Sequence, residues 1–496
     1  MAMLAEGLKC LGIVGAGAMG AGIAQIGLTS GFRVILNDGN KAILASAREQ
    51  ILSRITRLVE KGQLSGDAVG IAEANLVLAD DLSGFAPAEV VIEAIVEKLE
   101  AKQAVFAALE EVVGPQTLLA TNTSSLSIAA IARACEQRDR ICGMHFFNPV
   151  PLMKLVEVIG APNTSAETMT RAEALSKRLN KIPVRVKDVP GFLVNLLGRA
   201  YTTEALHIQL EGVATVDVID QIMRDGAGFR MGPFELMDLT GIDVNFPVTS
   251  FIYQGFQHDP RLKTTILHEA LFNAGRYGRK SGQGFHNYDG SAAAGASAEQ
   301  RPPQSLSVFV IEDHPQLTAI VPQGLRTARR EQADVLLIAP GGEDAATVCA
   351  RLKLDPARVI AVDFCCAERK FLTLMAPLGG SGCVDAFAAC LREIGYAVAV
   401  IGDSPGFVAP RILSMIANLG CEVAQMGIGA PEDIDLSMKL AQNYPRGPLE
   451  WAEFLGPARV YETLTQLQSA TGSDRYRPSL WLRRRVQLGF PIYRRG

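Results

Sequence analysis

The sequence predicts an α/β domain, an α-helical domain, a reduced α/β domain and a second α-helical domain, in that order. Three observations predict it. Residues 8–14, LKCLGIV, form an apolar run that enters the glycine cluster GAGAMG and leaves it as the helical pattern AGIAQIGLTSG. From Pro190 the apolar positions take the helical period, with Gly212 as a stop and Asp217 opening the next helix. The motifs of that helical part recur 215 residues later.

At roughly 100–200 residues per domain, 496 residues leave room for about three or four domains. A formal net charge of −4 and 20% charged residues lack the basic excess that nucleic-acid binding favours, so no nucleic-acid partner is expected. Nine cysteines are scattered, adjacent only at Cys365 and Cys366 and without CxxC spacing, which predicts reduced thiols, no disulfides and no metal. The start, MAMLAEGLKCLGIVGAGAMG, has no basic segment before its apolar run, and no segment reaches ~18 uninterrupted apolar residues. These features predict a cytoplasmic protein without a membrane span.

The first element reads as strand, glycine turn and helix, the opening of a Rossmann-type domain. Gly15 permits the tight turn, Gly17 lets the backbone approach a pyrophosphate, and Gly20 lets the helix lie close to the strand. Ala18 and Met19 complete the loop. The next strand, FRVILND, ends in Asp38, 23 residues after Gly15, where a carboxylate accepts hydrogen bonds from the adenosine ribose and repels a 2′-phosphate. No arginine follows it directly, so NAD is predicted over NADP.

Two further runs, EVVIEAIVE (89–97) and TLLATNTSSL (117–126), read as buried parallel strands with polar ends. In such sheets ligands lie beyond the carboxyl ends of the strands, which makes Glu97, Ser124 and Ser125 candidate contacts. Capping of the helix SIAAIARA explains one or two of the polar residues at 122–125 equally well. RICGMHF is the next strand, with His145 at its carboxyl end and Glu157 twelve residues on. A lone histidine in an apolar segment is usually structural, but this is the strand end where the fold places chemistry.

The motifs GxGxMG (15–20), EAIVE (93–97), NTSS (122–125), HFFNPV (145–150) and PGFLVN (190–195), in this order, resemble those of the L-3-hydroxyacyl-CoA dehydrogenase family over about residues 8–290. The resemblance implies NAD-dependent oxidation of a 3-hydroxyacyl thioester to the 3-ketoacyl thioester, with an acyl-CoA as the partner molecule. It makes His145 the general base and Glu157 the acid that orients the imidazole. Imidazole, with an unperturbed pKa of ~6.5, suits removal of a hydroxyl proton near neutrality, and a carboxylate on its other nitrogen fixes the tautomer. Ser124 and Asn195 would then hydrogen-bond the substrate oxygen and the dyad. The resemblance also implies that Asn148, Glu97, Lys102 and Lys280 line the cofactor. Arg54 and Lys61 would meet the CoA phosphates, although a charged helix face explains them more simply. The family usually continues PGFLVN with arginine, whereas Leu196 follows Asn195 here.

PGF at 190–192 matches PGF at 405–407, GPFE at 232–235 matches GPLE at 447–450, and Gly212, Asp220 and Gly241 match Gly427, Asp435 and Gly456. Between the copies, SLSVFVIED, DVLLIAP, RVIAVDF and YAVAVIGD read as four strands of a small α/β domain without GxGxxG. Asp363 falls opposite His145, Thr373 opposite Glu157 and Pro410 opposite Asn195, so the second half is expected to bind no NAD and catalyse nothing. The predicted boundaries are 8–189 for the Rossmann domain, 190–290 for the first helical domain, 305–403 for the reduced Rossmann-like domain, 404–475 for the second helical domain and 476–496 for a basic tail. The two helical domains are expected to pair within the chain, with homo-oligomerisation left open. This layout resembles the longer bacterial members of the family, several of which act in aromatic-acid catabolism such as the phenylacetate pathway, and it implies 3-hydroxyadipyl-CoA or 3-hydroxybutyryl-CoA as substrate. Arg483, Arg484, Arg485, Arg494 and Arg495 read either as a solvated terminus or as contacts to CoA phosphates or a charged substrate tail. Two other readings compete: a dehydrogenase of a free 3-hydroxy acid, which usually uses lysine as its base, and a non-catalytic NAD-binding protein.

Overall fold

Apolar runs flanking the glycine turn place β1 (Cys10–Val14) in the middle of an eight-stranded sheet in the computed structural model, which describes residues 8–288, 306–312, 314–380 and 382–494. The other strands are β2 (Arg33–Asn37), β3 (Leu76–Leu78), β4 (Val90–Glu93), β5 (Leu118–Thr121), β6 (Ile141–Phe146), β7 (Leu155–Gly160) and β8 (Ile182–Lys187). Their order is β3-β2-β1-β4-β5-β6-β7-β8, so the chain reverses its direction of travel at β1, the switch point at which such sheets bind ligands. All neighbours are parallel except β6 and β7, which run antiparallel. Val34, Ile92, Ala120 and Val158 belong to one buried core with residues of α1 (Ala18–Thr29) and α2 (Lys41–Glu60). Asn40 caps α2 by accepting from the amides of Ala42 and Ile43, supplying partners for orphan donors of its first turn.

The chain divides into two compact units, Met1–Leu196 with Gly427–Gln442, and Leu197–Met426 with Asn443–Gly496. The division departs from the predicted boundaries. Residues 427–442, expected in the second helical domain, belong with the eight-stranded sheet, where the Lys187 amide donates to the Ile428 carbonyl at 3.0 Å on edge strand β8. An edge strand with free backbone groups needs covering, and this segment of the second copy provides cover.

The second unit holds a five-stranded sheet in the order β13-β12-β11-β10-β9, with β9 (Val308–Val310), β10 (Val335–Ile338), β11 (Val359–Asp363), β12 (Phe371–Met375) and β13 (Ala397–Ile401). Four of these are the predicted runs. The fifth, FLTLM, is a short strand directly after a charged turn, and it is defined by its antiparallel pairing with β11. That pairing places Asp363 opposite Thr373, just as β6 and β7 place His145 opposite Glu157.

The two helical copies meet within this unit. Arg411, on α4 (Ala409–Met426), donates from Nε to Glu204 Oε1 at 2.6 Å, and Glu204 lies on α3 (Val194–Leu210). Arg475 Nε donates to the other oxygen of Glu204 at 2.7 Å. The described part of the expected tail is not loose chain: Tyr476 is buried and Leu480–Leu488 forms a helix that buries Leu482 and Arg485. Arg495, and residues 289, 290 and 305 at the predicted domain edges, lie outside the described residues.

Candidate active site

The glycine loop follows from steric limits that can be read position by position. Gly15 has φ +102°, and a Cβ there would come within 2.5 Å of the Ala94 carbonyl oxygen. A Cβ on Gly20 would sit 1.8 Å from the Gly15 carbonyl oxygen, so only glycine lets α1 start this close to the strand. At Gly17, by contrast, nothing lies within 4 Å, which leaves the backbone open to a phosphate group. Ala18 and Met19 open α1. Asp38 accepts from the Ala16 amide at 2.8 Å through one oxygen and from the Asn40 amide at 2.8 Å through the other, which fixes its carboxylate beside the loop. The residues present fit a dinucleotide: an open glycine backbone, a helix N-terminus and an acid at the ribose distance.

Beyond the ends of β4 and β5 lies a network that the sequence reading identified only in part. Glu97 accepts from the Thr123 hydroxyl at 2.6 Å, the amides of Ser124 and Ser125 at 2.9 and 3.1 Å, and the Ser125 hydroxyl at 2.9 Å. Burial works against its charge, but these hydrogen bonds and Lys102 outweigh it and hold the Glu97 carboxyl below its ordinary range. Lys102 is 1% exposed, so it is no solvated surface lysine; its Nζ lies 2.6 Å from Glu93 and 3.2 Å from Glu97. Glu93 is fully buried and also accepts from the Thr121 hydroxyl at 2.7 Å. The sequence reading gave Glu93 no role, although an acid inside the apolar strand VVIE signals a buried partner. Asn122 accepts from the Phe146 amide at 2.8 Å, tying this loop to the strand that carries His145.

His145 and Glu157 face each other across the β6–β7 pair, with Nδ1 and Oε2 2.6 Å apart. Both are buried. The other oxygen of Glu157 accepts from the amides of Leu193 and Val194, at 3.0 and 2.8 Å. These amides stand at the start of α3, where an acid offsets the helix dipole and satisfies unpaired N–H groups. The PGFLVN motif thus supplies backbone donors as well as Asn195, a half-buried residue of the same unit. Phe147 and Phe192 flank the imidazole, with ring centroids 4.6 and 5.8 Å away.

The remaining predicted residues divide. Asn148 and Arg54 line a cleft of about 690 Å³ together with Arg57, Lys181 and residues of α1. Arg57, one turn beyond Arg54, was not singled out in the sequence. Lys61 caps the end of α2 and is exposed. Ser124 is exposed at the strand end. Lys280 belongs to the second unit, where it pairs with Asp243 at 2.5 Å. Among the described residues no cluster of histidines, cysteines or acids is arranged to hold a metal, and no helix is long and apolar enough to cross a membrane. Cys10, Cys135, Cys142, Cys349, Cys365, Cys366 and Cys390 are free thiols.

The sequence model of the 3-hydroxyacyl-CoA dehydrogenase NAD-binding domain matches residues 10–189, and that of the 3-hydroxyacyl-CoA dehydrogenase C-terminal domain matches residues 191–288 and again 406–492. The chain belongs to the 3-hydroxyacyl-CoA dehydrogenase family. The doubled match starts at positions 215 residues apart, the offset of the internal repeat. A 3-hydroxyadipyl-CoA dehydrogenase of Escherichia coli K12 is 38% identical over 483 residues, covering 97% of this chain and 98% of that one. The mitochondrial hydroxyacyl-coenzyme A dehydrogenase of Sus scrofa is 38% identical over 57% of this chain and 91% of its own length. The crystal structure of a 3-hydroxybutyryl-CoA dehydrogenase from Escherichia coli K12 superimposes with a TM-score of 0.84 at 36% identity, covering 97% of this chain and 98% of that one. The family is NAD-dependent, so NAD is the cofactor that the glycine loop of this member takes.

Proposed function

We propose that this enzyme oxidises an L-3-hydroxyacyl-CoA to the 3-ketoacyl-CoA with His145 as general base and Glu157 as the residue that positions it. The observation that carries this reading is the 2.6 Å contact between Nδ1 and Glu157, which leaves Nε2 as the nitrogen to meet a substrate hydroxyl. NAD held at the glycine loop of Gly15, Gly17 and Gly20 would supply the hydride acceptor for C3. His145 takes the hydroxyl proton, and the buried carboxylate stabilises the imidazolium that results. Glu157 stays oriented because its second oxygen is held by two backbone amides. Ser124 and Asn195 hydrogen-bond the substrate oxygen and the dyad. The Glu93–Lys102–Glu97 chain of ion pairs holds the loop that carries Ser124, and Asn148, Glu97 and Lys102 serve the cofactor.

The substrate is 3-hydroxyadipyl-CoA or 3-hydroxybutyryl-CoA, the compounds in the names of relatives that align along nearly the whole chain. Arg54 and Lys61 meet the CoA phosphates, a role supported by the place of Arg54 in the cleft beside Asn148. The chain works in the cytoplasm as a Rossmann domain, a helical domain, a reduced Rossmann-like domain and a second helical domain, the last serving as a partner built into the chain. A substrate panel tests the reading: NAD reduction with both thioesters, each beside its free acid. Turnover of a thioester with no turnover of its acid is expected. Preference for a free acid, or no reduction with any thioester, would overturn the proposal.

A further inference from the structure

The arginines near the end of the chain are held in place by aromatic rings. The helix Leu480–Leu488 and the turn after it wall a groove of about 440 Å³ lined by Trp481, Arg484, Arg485, Phe490 and Arg494. The guanidinium of Arg485 lies 3.4 Å from the centroid of the Trp481 ring, and that of Arg494 lies 3.6 Å from the centroid of Phe490. Arg485 is only 8% exposed. It donates to the backbone carbonyls of Trp481 and Arg494, and its Nε has no hydrogen-bond partner among the described residues. Arg484 and Arg494 are exposed on the same groove, and among the described residues no carboxylate lines it.

A buried cation with no carboxylate beside it among the described residues is costly, and backbone carbonyls with one aromatic face offset only part of that cost. Stacking also fixes the planes of two guanidinium forks before any ligand arrives, which lowers the ordering cost of binding. Planar forks match phosphate oxygens two at a time, and three of them around one groove carry a charge of opposite sign and equal size to a terminal diphosphate. The volume lies within the range of small-molecule sites.

We propose that this groove, in the second compact unit and apart from the glycine loop, binds a small molecule through a terminal diphosphate group. The internal diphosphate bridge of NAD is esterified at both ends, carries less charge and has no terminal phosphate, so NAD is a poor competitor. Calorimetric titration of the full-length protein at saturating NAD, with inorganic pyrophosphate and with ADP as probes, tests the proposal. One saturable site per chain is expected. Affinity should fall at least tenfold in the double variant Arg484→Gln/Arg494→Gln, whose side chains are exposed and whose fold is checked by its unfolding temperature. Quenching of Trp481 fluorescence should accompany binding in a Trp451→Phe background, since the chain has two tryptophans. Tighter binding of ADP would identify a nucleotide as ligand, and equal affinity would identify the diphosphate alone; either supports the site. An absent saturable signal, an unchanged double variant, or citrate binding as tightly as pyrophosphate would overturn it.

Discussion

Arg411 and Glu204 join the two helical copies through a buried ion pair, Nε to Oε1 at 2.6 Å, with both side chains fully buried. In the 215-residue repeat Arg411 occupies the place of Leu196, so the arginine missing after PGFLVN in the first copy is present in the second. There it also meets Glu211 at 2.6 Å and the Tyr476 hydroxyl at 2.7 Å. Removing one member of a buried pair leaves an uncompensated charge, which typically costs about 3–5 kcal/mol. Glu204→Gln should therefore lower the denaturant midpoint of the second unit by a corresponding amount while NAD affinity stays unchanged. A midpoint within error of the wild type would show that Glu211 and Tyr476 hold Arg411 without it.

His145→Gln should leave NAD binding nearly intact and lower kcat by about two or more orders of magnitude, the range a positioned general base supplies. Glu157→Gln should cost less and move the pH–rate profile, because the imidazolium loses its charged partner. A steady-state kcat for His145→Gln within threefold of wild type would remove the histidine from the chemistry.

Asp38 should exclude NADP through repulsion of the 2′-phosphate. Asp38→Ala should narrow the preference chiefly by weakening NAD, with an added loss from the released Ala16 amide that Asp38 now holds. The ratio of kcat/KM values with the two cofactors measures it, and equal use of both by the wild type would contradict the assignment.

The second sheet should carry no hydride chemistry. Calorimetry should detect a single tight NAD site per chain, and Asp363→Asn should leave kcat unchanged. Burial pushes the Asp363 carboxyl up to about 6, against the opposing pull of Arg459. An acid raised in the fold weakens stability as pH climbs above its unfolded value, so at pH 7 the neutral asparagine should stabilise the protein by up to about 3 kcal/mol. Unfolding curves of the two proteins at pH 7 and pH 4 should converge at the lower value.

Stability should decline on acidification in two overlapping stages. Burial lowers His268 to about 3, and burial with the charge of Arg475 lowers His207 to about 4. Both stay neutral in the fold, so stability falls as the unfolded histidines take up protons below about pH 6.5, by up to about 1.4 kcal/mol per pH unit for each. For Glu204 burial opposes ionisation, but Arg475 and Arg411 overcome it and hold the carboxyl at about 2. Its contribution is therefore complete above the ordinary carboxyl range and is lost as pH falls toward 2. His268→Gln should flatten the decline between pH 6.5 and 4 in urea unfolding measured across pH.

What the chain specifies locally was legible from its residues. The glycine spacing, the period-3.6 runs after Pro190 and each motif that recurs at the 215-residue offset are short-range patterns, because a turn needing φ > 0 or a helix face is encoded by neighbours a few positions apart. His145 and Glu157 are paired in the sequence through the family resemblance alone, and the antiparallel β6–β7 pair is what brings them together in the fold. The partners of Glu157 at Leu193 and Val194, the sealing of β8 by Ile428 and the meeting of Glu204 with Arg411 and Arg475 are different in kind. Each joins residues distant in sequence through backbone amides or long charged side chains, which carry no local pattern, and each exists only because packing removed those groups from water and obliged them to find one another.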